Sequence, residues 1–123
     1  MKHTSVLIVD DEKRFADMLA KRLSLRGCRC EVCYNGRQAI DLVGRKKFSL
    51  VLLDLHLPDI YGVEVLKGIK AISSTTPVVI VTGHGTEDDR RACMQQDAYD
   101  FMHKPVGIDE LMTILAKVGE SSQ

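Results

Sequence analysis

Five short apolar runs, separated by segments of helical periodicity, constrain the fold of this chain more than any other feature of its sequence. Three of the runs are entirely apolar, which is typical of strands buried on both faces of a parallel sheet. The predicted strands cover 6–9, 28–33, 50–53, 78–81 and 99–102. The predicted helices cover 12–25, 36–46, 62–72, 86–96 and 108–118. We therefore predict an α/β fold, with helices on both faces of a parallel sheet.

The length of 123 residues allows one domain, which we expect over residues 1–123, with 119–123 as a tail or the start of a linker. Seventeen basic residues balance seventeen acidic ones, which argues against a nucleic acid or an anionic membrane as partner. Neither a membrane span nor a signal peptide is evident, so we expect a cytoplasmic protein.

Three of the four cysteines fall in the second predicted strand. The alternation of a strand puts Cys28 and Cys30 on one face and Cys33 on the other. We interpret them as free thiols packed in a core. The alternative is a metal site, but a tetrahedral site needs four ligands, normally from more than one segment.

Polar residues follow four of the five predicted strands at their carboxyl ends. They are Asp10, Asp11 and Glu12, then Asp54, then Thr82, then Lys104. In an open parallel sheet these ends share one edge, where ligands bind. Two carboxylates about 5 Å apart repel by roughly 3 kcal/mol at an effective dielectric constant near 20. Such a cluster favours a hard divalent cation, Mg²⁺ or Mn²⁺.

The acidic triplet has a simpler interpretation, because acidic residues also favour the first turn of a helix. That interpretation leaves Asp54 unexplained, together with the positions of Thr82 and Lys104. The combined pattern is therefore more specific than any single member.

The whole pattern resembles the receiver domain of bacterial two-component response regulators, from Val6 to Val118. The matching segments are residues 9–12, residues 52–58 with Gly62, residues 81–83, and Lys104-Pro105. The resemblance implies a flavodoxin-like sheet with strand order 2-1-3-4-5. The chain departs from the family pattern at Asp97, where glycine is frequent, and at Val106, where phenylalanine is frequent.

The resemblance also implies a role for each site residue. Asp54 would be the phosphoacceptor, and Asp11, Asp54 and the His56 backbone carbonyl would bind Mg²⁺, with Asp10 acting partly through water. Lys104 would contact one phosphoryl oxygen and Thr82 another. Phe101 would be the aromatic switch residue.

The implied function is a phosphoacceptor switch rather than an enzyme acting on a metabolite. A sensor histidine kinase or a phosphotransfer protein would supply the phosphoryl group, and slow self-dephosphorylation would remove it. The fourth helix, fifth strand and fifth helix would present the changed surface to an effector protein or to a missing carboxyl-terminal output domain. The chain would be a monomer or a phosphorylation-dependent dimer.

His56 and His84 each lie two residues beyond a predicted site residue. Their imidazoles would tune the phosphoryl lifetime, and dephosphorylation would then depend on pH. The alternative is that both are solvent-exposed loop residues without this role.

Three other functions remain open at this point. An aspartyl-intermediate phosphatase of another α/β family usually has a second acid two residues after the nucleophile, where this chain has His56. A dinucleotide- or flavin-binding module needs a glycine-rich loop after the first strand, where this chain has Asp10-Asp11-Glu12-Lys13. A phosphorylation-independent receiver scaffold would not need the full set of acidic, hydroxyl and amine groups.

Overall fold

Five parallel strands form one sheet in the computed structural model, which describes residues 4–121, and their order is β2-β1-β3-β4-β5. The strands are Ser5–Val9, Arg29–Cys33, Leu50–Leu53, Val78–Thr82 and Asp100–His103 (β1 to β5). The helices are Lys13–Leu25, Gly36–Arg45, Gly62–Ile72, Glu87–Gln95 and Ile108–Ser121 (α1 to α5). The predicted flavodoxin-like α/β fold is confirmed.

Two apolar cores lie on opposite faces of the sheet. Leu7 and Val9 of β1 pack with residues of α2, α3 and α4, whereas Val6 and Ile8 pack with residues of α1 and α5. The strands β3 and β4 are likewise buried along their whole length. Because both faces are covered, the three central strands need apolar side chains on both faces, and Ser5 and Thr82 at strand ends are their only polar residues.

The cysteines in and directly before β2 divide between the two cores as predicted. Cys28 and Cys30 lie on the α1 and α5 side, and Cys33 lies on the other side. All of the cysteines are free, and burial raises the pKa of Cys33 to about 12. No group of metal-ligating side chains in residues 4–121 includes a cysteine, so the packing interpretation is favoured over a thiolate metal site.

Local signals mark several helix ends. Gly27, with φ of +91°, follows α1, where the left-handed backbone favours glycine. The Thr86 hydroxyl accepts from the backbone amide of Asp89 and the Asp89 carboxylate accepts from the backbone amide of Thr86, so Thr86 is the amino-terminal cap of α4. Asp97 has φ of +66°, a conformation that aspartate tolerates better than most residues.

Five helix boundaries differ from the prediction, three of them by one residue at the ends of α2 and α4. Helix α1 begins at Lys13 rather than Glu12, because Glu12 is a non-helical cap with φ of −77° and ψ of +89°. Helix α5 continues to Ser121, past the expected end at Val118. Val118 is the last residue packed on the core, but backbone hydrogen bonding does not stop where packing stops. The predicted tail is therefore helical at 119–121, and 122–123 lie outside the described residues.

The segment after β5 turns through a cis Lys104–Pro105 peptide bond. Val106, at a position where the family often has phenylalanine, packs against the core on the α1 and α5 side. No helix in the described part of the chain has the length and apolar character needed to cross a membrane.

Candidate functional site

The carboxyl ends of four strands meet at one edge of the sheet. Backbone hydrogen bonds fix their relative positions: the Asp54 amide donates to the Val9 carbonyl at 2.9 Å, and the Lys104 amide donates to the Thr82 carbonyl at 2.9 Å. Strand pairing therefore brings together side chains from four distant segments of the chain.

The ammonium group of Lys104 lies among three carboxylates. Its Nζ atom is 2.8 Å from Asp10 Oδ2, 2.5 Å from Glu12 Oε1 and 3.5 Å from Asp54 Oδ2. It also lies 4.4 Å from the centre of the Phe15 ring, a cation–π contact. Burial alone would lower the pKa of Lys104, but its hydrogen bonds to Asp10 and Glu12 raise the pKa to about 12. The amine therefore stays positively charged.

Asp10 and Asp54 are buried carboxylates, with exposed fractions of 2% and 4%. Burial raises the pKa of Asp10, and this effect is opposed by Lys104 and by the Glu12 amide, which donates to Asp10 Oδ1 at 2.9 Å. Glu12 is more open to solvent, and its hydrogen bond with Lys104 lowers its pKa. When all three acids are ionised, one ammonium group cannot neutralise them.

The acidic cluster has the chemistry of a divalent-cation site. Within residues 4–121, carboxylate oxygens of Asp10, Glu12 and Asp54 lie within 4.8 Å of one another. Oxygen donors of this kind suit Mg²⁺ or Mn²⁺ rather than a soft metal. The predicted ligand Asp11 stands outside this group, exposed, beside a shallow depression that His56 and Tyr61 also line. Its role as a ligand stays a prediction.

The loop after β3 is held against the carboxylate of Asp54. The His56 amide approaches Asp54 Oδ1 at 3.4 Å. Gly62 allows the loop to return this closely, because a Cβ atom there would lie 2.5 Å from Leu55 Cα and 2.7 Å from the Asp54 carbonyl oxygen. Glycine is therefore required at position 62 for the observed path of the loop.

Thr82 and Phe101 both pack closely against Gly85. The Thr82 hydroxyl is fully buried and, within the described residues, is the one buried side-chain polar atom without a hydrogen-bond partner. A Cβ atom on Gly85 would lie 2.5 Å from Phe101 Cζ and 2.8 Å from Thr82 Cγ2. The two predicted switch residues can therefore approach residue 85 this closely only because it has no side chain.

His56 and His84 are both exposed beside the site. Their ring centroids are 6.2 Å apart, and the Tyr61 ring lies 6.4 Å from that of His56. Neither histidine side chain is among the carboxylates and ammonium of the cluster, and their effect on the phosphoryl lifetime stays a prediction.

Several contacts at the site had no signal in the sequence. Lys104 contacts Glu12 and Phe15. Both contacts depend on the conformation of its long side chain over the cluster. The hydrogen bond from the Tyr61 hydroxyl to Asp89 links the amino ends of α3 and α4, whose relative orientation strand periodicity cannot predict.

A family model of the response regulator receiver domain matches residues 6–116 of the chain. The chain is similar to the transcriptional regulatory protein YkoG of Bacillus subtilis, with 34% identity over 112 residues, 91% of this chain and 49% of that protein. It is equally similar to an NtrX-like response regulator of Rickettsia conorii, with 34% identity over 98% of this chain and 26% of that protein. The chain therefore spans a quarter to a half of the length of these relatives.

Solved structures show the same architecture. A CheY-like receiver domain protein of Methanospirillum hungatei has a TM-score of 0.92 and 25% identity, with 98% of each chain covered. The receiver domain of NtrX from Brucella abortus has a TM-score of 0.85 and 30% identity, covering 94% of this chain and 98% of that one.

Proposed function

Because the chain belongs to the response regulator receiver domain family, we propose that it is a phosphoacceptor switch that takes a phosphoryl group onto Asp54. The observation that carries the proposal is the position of Asp54, a carboxylate only 4% exposed, with the Lys104 ammonium 3.5 Å from its Oδ2 atom. The proposed nucleophile and a cation therefore lie together at one edge of the sheet, which supports the proposal.

The proposed reaction is an in-line transfer from phosphohistidine. An Asp54 carboxylate oxygen forms the new bond to phosphorus while the bond from phosphorus to the donor imidazole nitrogen breaks, and the imidazole leaves with the electron pair. Lys104 stabilises the negative charge on the phosphoryl oxygens. Attack by water on the acyl phosphate later releases inorganic phosphate and restores Asp54.

The residues present fit a Mg²⁺ ion. Asp10, Asp11, Asp54 and the His56 carbonyl would hold it, with Mn²⁺ as a substitute, and when bound it neutralises charge on the phosphoryl group. The acidic cluster around Asp10 and Asp54 supports this assignment. Glu12 binds Lys104 and so keeps the amine beside the reacting carboxylate.

Phosphorylation would act through Thr82 and Phe101. A phosphoryl group brings roughly −1.5 to −2 charges and three acceptor oxygens. The buried Thr82 hydroxyl has no partner among the described residues, so it is available to donate to one of these oxygens. Phe101 would then repack, and the surface of α4, β5 and α5 would change. His56 and His84 would tune the phosphoryl lifetime by limiting access of water.

The proposed partners follow from the same chemistry. A sensor histidine kinase or a phosphotransfer protein donates the phosphoryl group in the cytoplasm. The relatives are two to four times longer than the part that this chain matches. This supports an output domain, or a separate effector protein, as the component on which the phosphorylated chain acts. The balanced charge supports a segment that does not itself bind nucleic acid or membrane. The chain would be a monomer or dimerise on phosphorylation.

Intact mass spectrometry with Mg²⁺ and acetyl phosphate tests the proposal. We expect a gain of one phosphoryl group in the wild type and in the control Asp41→Asn, which changes an exposed acid on α2, but none in Asp54→Asn. Equal labelling of Asp54→Asn would remove Asp54 from the mechanism. No labelling of the wild type with either acetyl phosphate or a phosphohistidine donor would favour the scaffold function instead.

The aspartyl phosphatase function is the less favoured alternative. It would require a general acid two residues after the nucleophile, and the residue there, His56, is exposed and approaches Asp54 through its backbone amide. Turnover of a phosphomonoester by the chain would revive this alternative.

A further inference from the structure

We propose that Tyr61 is a positioning residue, whose hydrogen bond to Asp89 holds the amino end of α4 in its resting position and restrains the switch. The inference rests on the proposed function, and it deepens that function by naming a residue that regulates it. Loss of the bond should favour the conformation that phosphorylation selects.

Helix α4 is weakly anchored to the rest of the fold. Cys93 is its one buried side chain in the described structure, whereas α3 buries five residues. The first turn of α4 is acidic and lies in solvent. Because few apolar contacts hold this helix, individual polar contacts have a large share in fixing its position.

The bond joins two structured helix ends rather than two mobile chains. Tyr61 caps α3, where its carbonyl accepts from the Glu64 amide at 2.9 Å, and its hydroxyl donates to Asp89 Oδ1. Asp89 Oδ2 accepts from the Thr86 amide at 2.9 Å, and the Asp89 amide donates to the Thr86 hydroxyl at 3.1 Å. The Asp89 carboxylate therefore caps α4 with one oxygen and ties it to α3 with the other.

The ionisation states of the pair favour this bond. Burial and the hydrogen bond with Asp89 raise the pKa of Tyr61 to about 12, so the hydroxyl keeps its proton. The same hydrogen bond and that from the Thr86 amide lower the pKa of Asp89. A neutral donor and a charged acceptor form a stronger hydrogen bond than two neutral groups.

The tied segment begins immediately after the switch threonine. Residues 83–85 alone separate Thr82 from the Thr86 cap. Within them, the Gly85 carbonyl is 3.2 Å from His103 Nε2. A movement of Thr82 toward a phosphoryl group would therefore pull on a segment held by β5 at Gly85 and by α3 at Asp89. The hydrogen bond between Tyr61 and Asp89 must break for the first turn of α4 to move with this segment.

Amide hydrogen exchange of the unphosphorylated protein tests the restraint without relying on phosphorylation. Tyr61→Phe removes the hydroxyl and leaves the Thr86 and Asp89 cap intact. Exchange of the amides in 83–90 should rise by about fivefold, the factor expected for loss of one exposed hydrogen bond. The matched control is Tyr34→Phe, which removes an equivalent bond from Tyr34 to Asp17 at 3.0 Å and should leave these amides unchanged.

The rate of labelling by acetyl phosphate tests the link to the switch. Tyr61→Phe should be labelled up to about fivefold faster than the wild type, because a larger fraction of molecules is competent before the donor arrives. Thr86→Ala, which frays α4 without removing the Tyr61 bond, controls for simple loss of the cap. Unchanged exchange, or raised exchange with an unchanged labelling rate, would overturn the proposal. A wild type that takes no phosphoryl group would instead refute the proposed function and leave the exchange result to decide the restraint.

Discussion

The Lys104 ammonium and the Asp10 carboxylate form a buried ion pair at 2.8 Å, although they follow the last and the first strand of the chain. The pair joins strands that are not neighbours, since β1 and β5 lie on either side of β3 and β4. It therefore links the ends of β1 and β5 across the sheet. Its ammonium group also supplies positive charge at the proposed phosphorylation site.

Replacing Lys104 should affect stability and phosphorylation together. Lys104→Met leaves Asp10 buried without its cation, which should lower the free energy of unfolding by roughly 3 kcal/mol. Labelling of Asp54 by acetyl phosphate should slow at least about a hundredfold, because a fixed cation is lost. Urea denaturation and intact mass measure the two effects. Adding Asp10→Asn should restore part of the stability but none of the labelling, and equal stability of Lys104→Met and the wild type would contradict this account.

Magnesium affinity should distinguish Asp11 from Glu12. Asp11→Asn should weaken Mg²⁺ binding at least about tenfold, because it removes a ligand charge next to buried Asp10. Glu12→Gln should change it less than about threefold, because Glu12 is 63% exposed and already bound to Lys104. Titration calorimetry of both variants compares them directly. The reverse order of affinities would identify Glu12 as the ligand and Asp11 as the bystander.

The unpartnered hydroxyl of Thr82 should cost stability in the resting protein. Thr82→Val replaces it with a methyl group of the same shape, which should raise the free energy of unfolding by about 1 kcal/mol. Asp54 should still be labelled, but the change in amide exchange of 83–90 on phosphorylation should disappear. Thr82→Ser, which keeps the hydroxyl, is the control. A less stable Thr82→Val protein would show that the hydroxyl has a resting partner.

A methyl group at position 85 should clash with the side chains of Thr82 and Phe101. Gly85→Ala should lower stability by about 1–3 kcal/mol through overpacking, and Phe101→Ala in the same chain should relieve most of this cost. Gly83→Ala is the matched control, because the nearest atom to its Cβ position is Lys104 Cδ at 3.8 Å. Thermal unfolding of the four variants gives the coupling. Additive effects of Gly85→Ala and Phe101→Ala would contradict the packing seen around Gly85.

The stability of the fold should fall at alkaline pH through Cys33. Burial raises its pKa from 9.0 to about 12, so between these values the folded chain keeps a proton that the unfolded chain loses. Unfolding is then favoured as the pH rises above 9.0, with no effect below it. The loss attributable to Cys33 should be about 2 kcal/mol at about pH 10.5. Urea denaturation of wild type and Cys33→Ala should show a shallower decline in the variant, and parallel declines would exclude Cys33 as the cause.

The position of the site could be predicted from the sequence because all of its residues lie at the carboxyl ends of strands. Asp10, Asp54 and Lys104 follow β1, β3 and β5, Thr82 is the last residue of β4, and parallel strands end at one edge. The division of Cys30 and Cys33 between two cores followed from strand alternation in the same way. The end of a strand and the face on which a residue lies depend on the backbone alone. Both can be predicted from the pattern of apolar and polar residues.

Contacts made by long side chains could not be predicted. Glu12 and Phe15 reach Lys104 through rotamers that only the assembled edge selects. Tyr61 meets Asp89 because the turns that precede α3 and α4 bring the amino ends of these helices together. Helix α5 passed its expected end because polar residues beyond the core carry no signal for where hydrogen bonding stops.

Gly62 has a consequence for how this protein can vary. It is the first residue of α3, and it touches the main chain on which the proposed phosphoacceptor is carried. A larger residue there would push the carboxylate out of line before any donor arrived, with every polar group of the site still present. A chain could thus retain all of its recognisable chemistry and be silenced by one methyl group, so an intact set of site residues alone is not proof of a working switch.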